Sequence, residues 1–261
     1  MPEVKPTIVL GTTEVHRIGL GTNRLRDSDG HGALIRAAVD AGIQMIDTAH
    51  LYTSGESEKT IGRAFSPLPD GVVVATKGGY GSAGRGRPEV LRHEIEHSLK
   101  SLRVDRIALY YLHRVDPETP IEESLGAIKE YVDRGAIDLV GISKVDIPLI
   151  ERARKVVPIA AVQNEYNIDE RASDDVVDYC TREGIVFVPY YPLGADSTRA
   201  VRDAAKRHGA TPQQIMLAWL LKRSPAMLPI PGTLSLEHLR DNLDALSIEL
   251  SDAEYDEIAG G

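Results

Sequence analysis

Eight times along this chain a short apolar run gives way to a segment with helical spacing. The runs cover 18–23, 43–49, 72–77, 106–113, 137–143, 159–166, 185–190 and 227–230. Helical patterning follows at 30–41, 54–65, 88–102, 120–134, 147–156, 173–183, 198–208 and 235–246, with a further helix at 211–223 before the last run. Gly42, Gly135, Gly184 and Gly209 stop several of these helices, as residues tolerant of left-handed backbone do. Runs that are apolar throughout need cover on both faces, which is the situation of strands in a parallel sheet. Open doubly wound sheets share the alternation but usually have fewer strands and a Gly-rich turn after the first. Here no G-x-G-x-x-G opens a helix. The pattern predicts one domain over 1–261, a closed (β/α)8 TIM barrel. It has an N-terminal β-hairpin at Thr7–Arg17 and additional C-terminal helices. Thr211 with Gln214, and Ser251 with Glu254, have capping-box spacing for two of those helices.

In such a barrel the chemistry sits where strands end. The second run ends Met45-Ile46-Asp47-Thr48-Ala49-His50-Leu51-Tyr52, an acid and a phenol five positions apart. Ser54, or failing it Ser57, is the expected N-cap of the helix that follows. Lys77 ends the third run and His113 the fourth. A phenol titrates near ~10 and donates poorly at neutral pH, but a nearby ammonium lowers that value. Asp47 can hold the ammonium, and His113 can donate to a carbonyl oxygen beside the phenol. This grouping suits protonation of an alkoxide as it forms from a carbonyl. The hydride must come from a cofactor. Taken singly, Asp47 and Lys77 read equally as a structural ion pair, Tyr52 as packing and His113 as a satisfied core histidine. Their place at three successive strand ends favours the functional reading.

The sequence resembles the aldo-keto reductase family nearly end to end. Asp47-Thr48-Ala49-His50-Leu51-Tyr52 with Gly55-Glu56 carries the likeness. So do Ala75-Thr76-Lys77, Tyr111-Leu112-His113, Val140-Gly141-Ile142-Ser143, Val162-Gln163-Asn164-Glu165-Tyr166-Asn167, Tyr190-Tyr191-Pro192-Leu193-Gly194 and Ile230-Pro231-Gly232-Thr233, all in family order. The resemblance implies a catalytic tetrad of Asp47, Tyr52, Lys77 and His113. It implies NADPH across the barrel mouth, with NADH as the alternative, and reduction of aldehydes or ketones with Tyr52 as general acid. It places Gly21, Thr22 and Asn23 under the nicotinamide ribose, Ser143 and Gln163 on the carboxamide, and Tyr190 against the nicotinamide ring. Pro192, Leu193 and Gly194 would line the pyrophosphate. Gly232, Thr233, His238 and Asn242 would surround the adenosine 2′-phosphate and adenine. Lys144 stands where the family usually has Asn, Gly232 where it often has a basic residue and His238 where it often has Arg, which removes charged partners for a 2′-phosphate. A non-catalytic, nicotinamide-binding redox sensor or interaction subunit is the alternative reading, and a phosphate-handling barrel lyase a weaker one.

Other features exclude function classes. The net charge of −9 disfavours nucleic acid as a partner. No apolar run approaches the ~20 residues of a membrane span, and the N-terminus has no signal-peptide pattern. A lone cysteine, Cys180, reads as inert and points to a reducing, cytoplasmic home. No histidine spacing suggests a metal site, His93 and His97 included. The glycines at 78–86 read as a flexible active-site loop, with Arg85 and Arg87 able to meet an anionic substrate or simply to be solvated. The short segment 114–119 predicts an open, permissive pocket. No oligomer is implied, monomer being the family's commonest state.

Overall fold

The computed structural model describes residues 5–194 and 196–260. It opens with an antiparallel hairpin, β1 (Thr7–Leu10) and β2 (Thr13–His16). Seven parallel strands follow in sequential order: β3 (Leu20–Gly21), β4 (Met45–Asp47), β5 (Val73–Gly78), β6 (Ile107–Leu112), β7 (Ile137–Ser143), β8 (Ile159–Gln163) and β9 (Val186–Phe187). Helices alternate with them: α1 (Asp29–Asp40), α2 (Glu56–Ala64), α3 (Pro88–Leu102), α4 (Ile121–Asp133), α5 (Ile147–Arg154), α6 (Asp174–Glu183) and α7 (Arg199–His208). Helices α8 (Pro212–Arg223), α9 (Leu236–Asp244) and α10 (Asp252–Ala259) complete the chain.

The eighth run, 227–230, is not a regular strand, and this departs from the sequence reading. Pro229 and Pro231 have no N–H to donate, so the ladder cannot be continuous there. The segment closes the barrel all the same. Phe187 donates to Ala226 O and Leu228 to Phe187 O on one side, while Gly19 donates to Pro229 O and Gly21 to Pro231 O on the other. Parallel bridges Phe187–Met227 and Gly21–Gly232 mark the same closure.

Two buried apolar layers result. Met45, Val73, Ala75, Leu109, Tyr111, Ala161, Val186 and Leu228 face the barrel axis, with Leu10 and Val15 of the hairpin packed against them. Ile46, Val74, Tyr110, Leu112 and Val162 face outward to the helices. Tyr111 fills the axis where β7 has Gly141; a Cβ there would lie 2.3 Å from its ring. Arg17, just after the hairpin, is fully buried. It donates to Met227 O at 3.0 Å, to Leu221 O at 2.9 Å and to Ser224 O. The last two lie at the C-terminal end of α8, where carbonyls lack intrahelical partners and a cation is welcome. Both capping boxes form, at Thr211 and Ser251. Trp219 is core, stacked between Tyr166 and Tyr255, and Cys180 is buried, its thiol pushed up to about 12 by burial.

Candidate active site

Strand parity decides which side chains reach the mouth. Asp47 has the parity of Met45, Lys77 that of Val73 and Ala75, and His113 that of Leu109 and Tyr111; all these apolar neighbours point to the axis. The register sets Asp47 beside Ala75 and Lys77 beside Tyr111. Tyr52 arrives differently. Thr53 (φ 48°), Ser54 (φ 56°) and Gly55 (φ 86°) are all left-handed, reversing the chain before α2 begins. Two consecutive non-glycine residues in that region cost about 1 kcal/mol or more each. Thr53 Oγ1 helps hold the turn by donating to Leu25 O at 2.6 Å. Ser54 is therefore not the cap of α2; Gly55 holds that position without a side-chain bond. Ser57 is buried and engaged elsewhere, donating to Thr22 O and pairing with Thr48 Oγ1 at 2.8 Å.

The ammonium of Lys77 is fully buried and spends all three protons: on an Asp47 carboxylate oxygen, on Thr48 O at 2.7 Å and on the Tyr52 oxygen at 3.4 Å. The other Asp47 oxygen accepts from Gln163 Nε2 at 2.9 Å. Burial alone would lower the Lys77 pKa, but Asp47 and Tyr52 outweigh it and hold the ammonium above its ordinary value. For Tyr52 the sequence expectation of a lowered pKa fails. Burial raises it more than Lys77 lowers it, with Asp47 adding to the rise. The phenol is thus protonated at neutral pH. His113 is pushed down to about 2 by burial and by the charges of Lys77 and Lys144, so its ring is neutral. Its Nδ1 is buried without a partner, and the ring meets Tyr52 edge-on, 6.0 Å between centroids.

A cleft of about 510 Å³ opens over these groups, lined by Asp47, Tyr52 and His113, with Lys77 beneath its floor. Gly21, Thr22 and Asn23 line one wall, and Ser143 and Gln163 the far side. Tyr190, Pro192, Leu193 and Gly194 form another stretch, and Gly232 a third. Thr233, His238 and Asn242 are not on the wall. Thr233 Oγ1 turns to Ser235, His238 is exposed in the first turn of α9, and Asn242 is buried in that helix.

Four more wall residues carry chemistry, and of these the sequence reading singles out Lys144 alone. Arg24 lies one position past the strand-one motif and donates to Gly232 O at 2.8 Å. Tyr80 comes from the glycine loop and Tyr191 neighbours Tyr190. Lys144 (φ 58°) holds its ammonium 5.6 Å from both the Tyr80 and Tyr190 rings. The glycine loop itself is tied down rather than loose. Asp116 accepts from Gly84 and Gly86 N–H, and Glu94 from Gly79 N–H. Arg85 is paired with Glu94 and Arg87 with Glu118, and neither residue lines the cleft.

The Aldo/keto reductase family model matches residues 17–260. The chain is 35% identical to pyridoxine 4-dehydrogenase of Escherichia coli (strain K12), over 94% of each chain. It is 34% identical to an uncharacterized oxidoreductase of Schizosaccharomyces pombe, over 94% of this chain and 86% of the other. Among solved structures, the thermostable aldo-keto reductase Tm1743, in complex with the inhibitor epalrestat, superposes with a TM-score of 0.90 at 34% identity, covering 97% of this chain and 98% of that one. An aldo/keto reductase from Klebsiella pneumoniae in complex with NADP and acetate gives 0.87 at 29%, covering 98% and 94%. The barrel, the cleft at its strand ends and these matches define an oxidoreductase of the (β/α)8 class. The chain belongs to the aldo/keto reductase family.

Proposed function

We propose that this protein reduces small aldehydes and ketones with NADPH, Tyr52 donating the proton. The observation that carries this reading is the use of the Lys77 protons. Because Lys77 donates to the phenol oxygen, the Tyr52 O–H is left to point at a substrate in the cleft. Asp47 fixes the ammonium, and Gln163 fixes Asp47. A neutral His113 offers a ring N–H to the carbonyl oxygen and orients it beside the phenol. As negative charge passes to the Tyr52 oxygen, the ammonium 3.4 Å away stabilises it. In the reverse direction the phenolate takes the alcohol proton, so oxidation is favoured at high pH.

The cleft suits a nicotinamide nucleotide. Tyr190 is only half-buried and presents a ring for stacking. With its Nε2 committed to Asp47, Gln163 keeps an amide oxygen to accept from a carboxamide, and Ser143 stands beside it. Arg24 brings a cation to Gly232, where the sequence offered none for a phosphate. When bound, NADPH supplies the hydride that no side chain can. The relatives crystallised with NADP or NADPH point to the same cofactor.

The test is a titration with NADPH and NADH, followed by turnover on small and bulky carbonyls. Pyridoxine and its 4-aldehyde belong in the panel because of the named E. coli relative. The expected result is tighter binding of NADPH and consumption that depends on carbonyl, across several substrates. Tight NADPH binding with no turnover on any carbonyl would overturn the proposal.

A further inference from the structure

Behind the cleft lies a group of polar side chains that carbonyl reduction does not use. His50, in the turn after β4, Glu58, at the start of α2, and His97, on α3, converge. One nitrogen or carboxylate oxygen from each lies within 4.8 Å of the others. Glu58 is fully buried. One of its oxygens accepts from Thr76 Oγ1 at 2.6 Å; the other has no hydrogen-bond partner. His50 Nδ1 is buried without a partner as well, and the buried Ser98 hydroxyl lies beside the Glu58 carboxyl. His97 Nδ1 stands 4.0 Å from the unpaired Glu58 oxygen, and its ring meets His50 edge-on, 4.8 Å between centroids. Buried polar atoms are ordinarily paired, so each unpaired one calls for an explanation. The nearby guanidinium of Arg85 is committed to Glu94. A buried carboxylate oxygen and a buried imidazole nitrogen, neither with a hydrogen-bond partner, therefore face a common point.

We propose that His50, Glu58 and His97 form a binding site for a divalent transition metal of the zinc class, with water as fourth ligand. Two imidazoles and one carboxylate are a zinc-type donor set, whereas magnesium and calcium prefer oxygen alone. Thr76, bonded to the second Glu58 oxygen, is the outer partner that orients the ligand. Tetrahedral bonds of about 2.0–2.1 Å set ligand atoms roughly 3.3 Å apart. The present spacing closes by rotation of the His97 side chain, which gives up the 3.3 Å contact of its Nδ1 with Ser101 Oγ; at 39% exposed, it also gives the ion its way in. The site fastens α2 and α3 to the outer side of β5. Glu58 grips Thr76, and His50 N–H donates to Lys77 O, while the Lys77 side chain points to the other face. Its effect is on the stability of the strand end that carries Lys77, independent of the reaction proposed above.

The test uses tag-free, chelator-treated protein with zinc titrated by calorimetry and cobalt followed by visible absorption. The expected result is one equivalent per chain, a four-coordinate cobalt spectrum and a melting temperature raised by roughly 5 °C at hundredfold excess over Kd. His97→Ala, at a half-exposed position, and Glu58→Gln each weaken binding more than about tenfold. His93→Ala, one turn earlier on the exposed side of α3, leaves binding intact. Absence of saturable binding overturns the proposal. So does retention of affinity in His97→Ala, which decides the matter should Glu58→Gln fail to fold. Loss in His93→Ala with retention in Glu58→Gln also overturns it, because the ligands would then be a surface pair on α3.

Discussion

Replacing Lys77 by Met isolates the electrostatic contribution of the ammonium while keeping the length of the side chain. Opposite unit charges 3.4 Å apart attract by about 5 kcal/mol at an effective dielectric of about 20. Part of that returns. Water entering the space vacated by the ammonium screens the charges that remain around the phenol. A discount of about half leaves ~2.5 kcal/mol, or roughly two pKa units on the phenol. Alcohol oxidation needs the full phenolate, so its kcat should fall about a hundredfold and its alkaline limb should move up about two units. Reduction develops only part of that charge in the transition state, so its loss should be about tenfold. The assay is kcat against pH in both directions, with NADPH binding and near-ultraviolet circular dichroism as checks on folding. Equal losses in both directions with an unmoved alkaline limb would show that Lys77 positions the ring without tuning it.

Three further predictions follow from other parts of the structure. Arg24→Ala should weaken NADPH about tenfold, or about 1.4 kcal/mol, and spare NADH; equal losses for both would place Arg24 on the shared pyrophosphate. Gly62→Ala should destabilise by about 2 kcal/mol in urea, because its Cβ would lie 2.2 Å from Ser101 O on α3 and overpacking outweighs the gain in helix propensity. An unchanged midpoint would mean that α2 shifts freely. His113 and His50 titrate at about 2 and about 4 in the folded chain, below the unfolded value of about 6.5. Unfolded chains bind those protons first, so stability is intact above pH ~6.5 and falls below it, by up to about 1.4 kcal/mol per unit for each ring. Glu58 and Glu94, held above the usual carboxylate range by burial, soften the decline at the acid end. His113→Asn should flatten the slope; an unaltered slope would contradict the buried-neutral assignment.

The convergence of Asp47, Lys77 and His113 was legible because each closes an apolar run, and parity of a strand follows directly from sequence. The barrel was legible for the same reason, down to both capping boxes. What was not legible depends on contacts between distant segments. Nothing local announces that Thr53 and Ser54 adopt left-handed backbone, since that strain is held by Leu25 from another loop. The glycines at 78–86 gave no sign of the Asp116 and Glu94 carboxylates that bind their N–H groups. Tyr52 was expected to be acidified by Lys77, but the cost of its burial is a property of the whole mouth. His50, Glu58 and His97 are brought together by the turn after β4 and the packing of α2 on α3, and no spacing motif reports that. Arg24 could have been found, as a cation directly beside the strand-one residues Gly21, Thr22 and Asn23.

The most direct test of proton donation by the phenol is single-turnover reduction by Tyr52→Phe with NADPH bound. The expected result is a fall in the reduction step of at least about a thousandfold, with NADPH affinity within about twofold of the parent. Reduction at an undiminished rate, with the ring intact and only its hydroxyl gone, would show that another group supplies the proton.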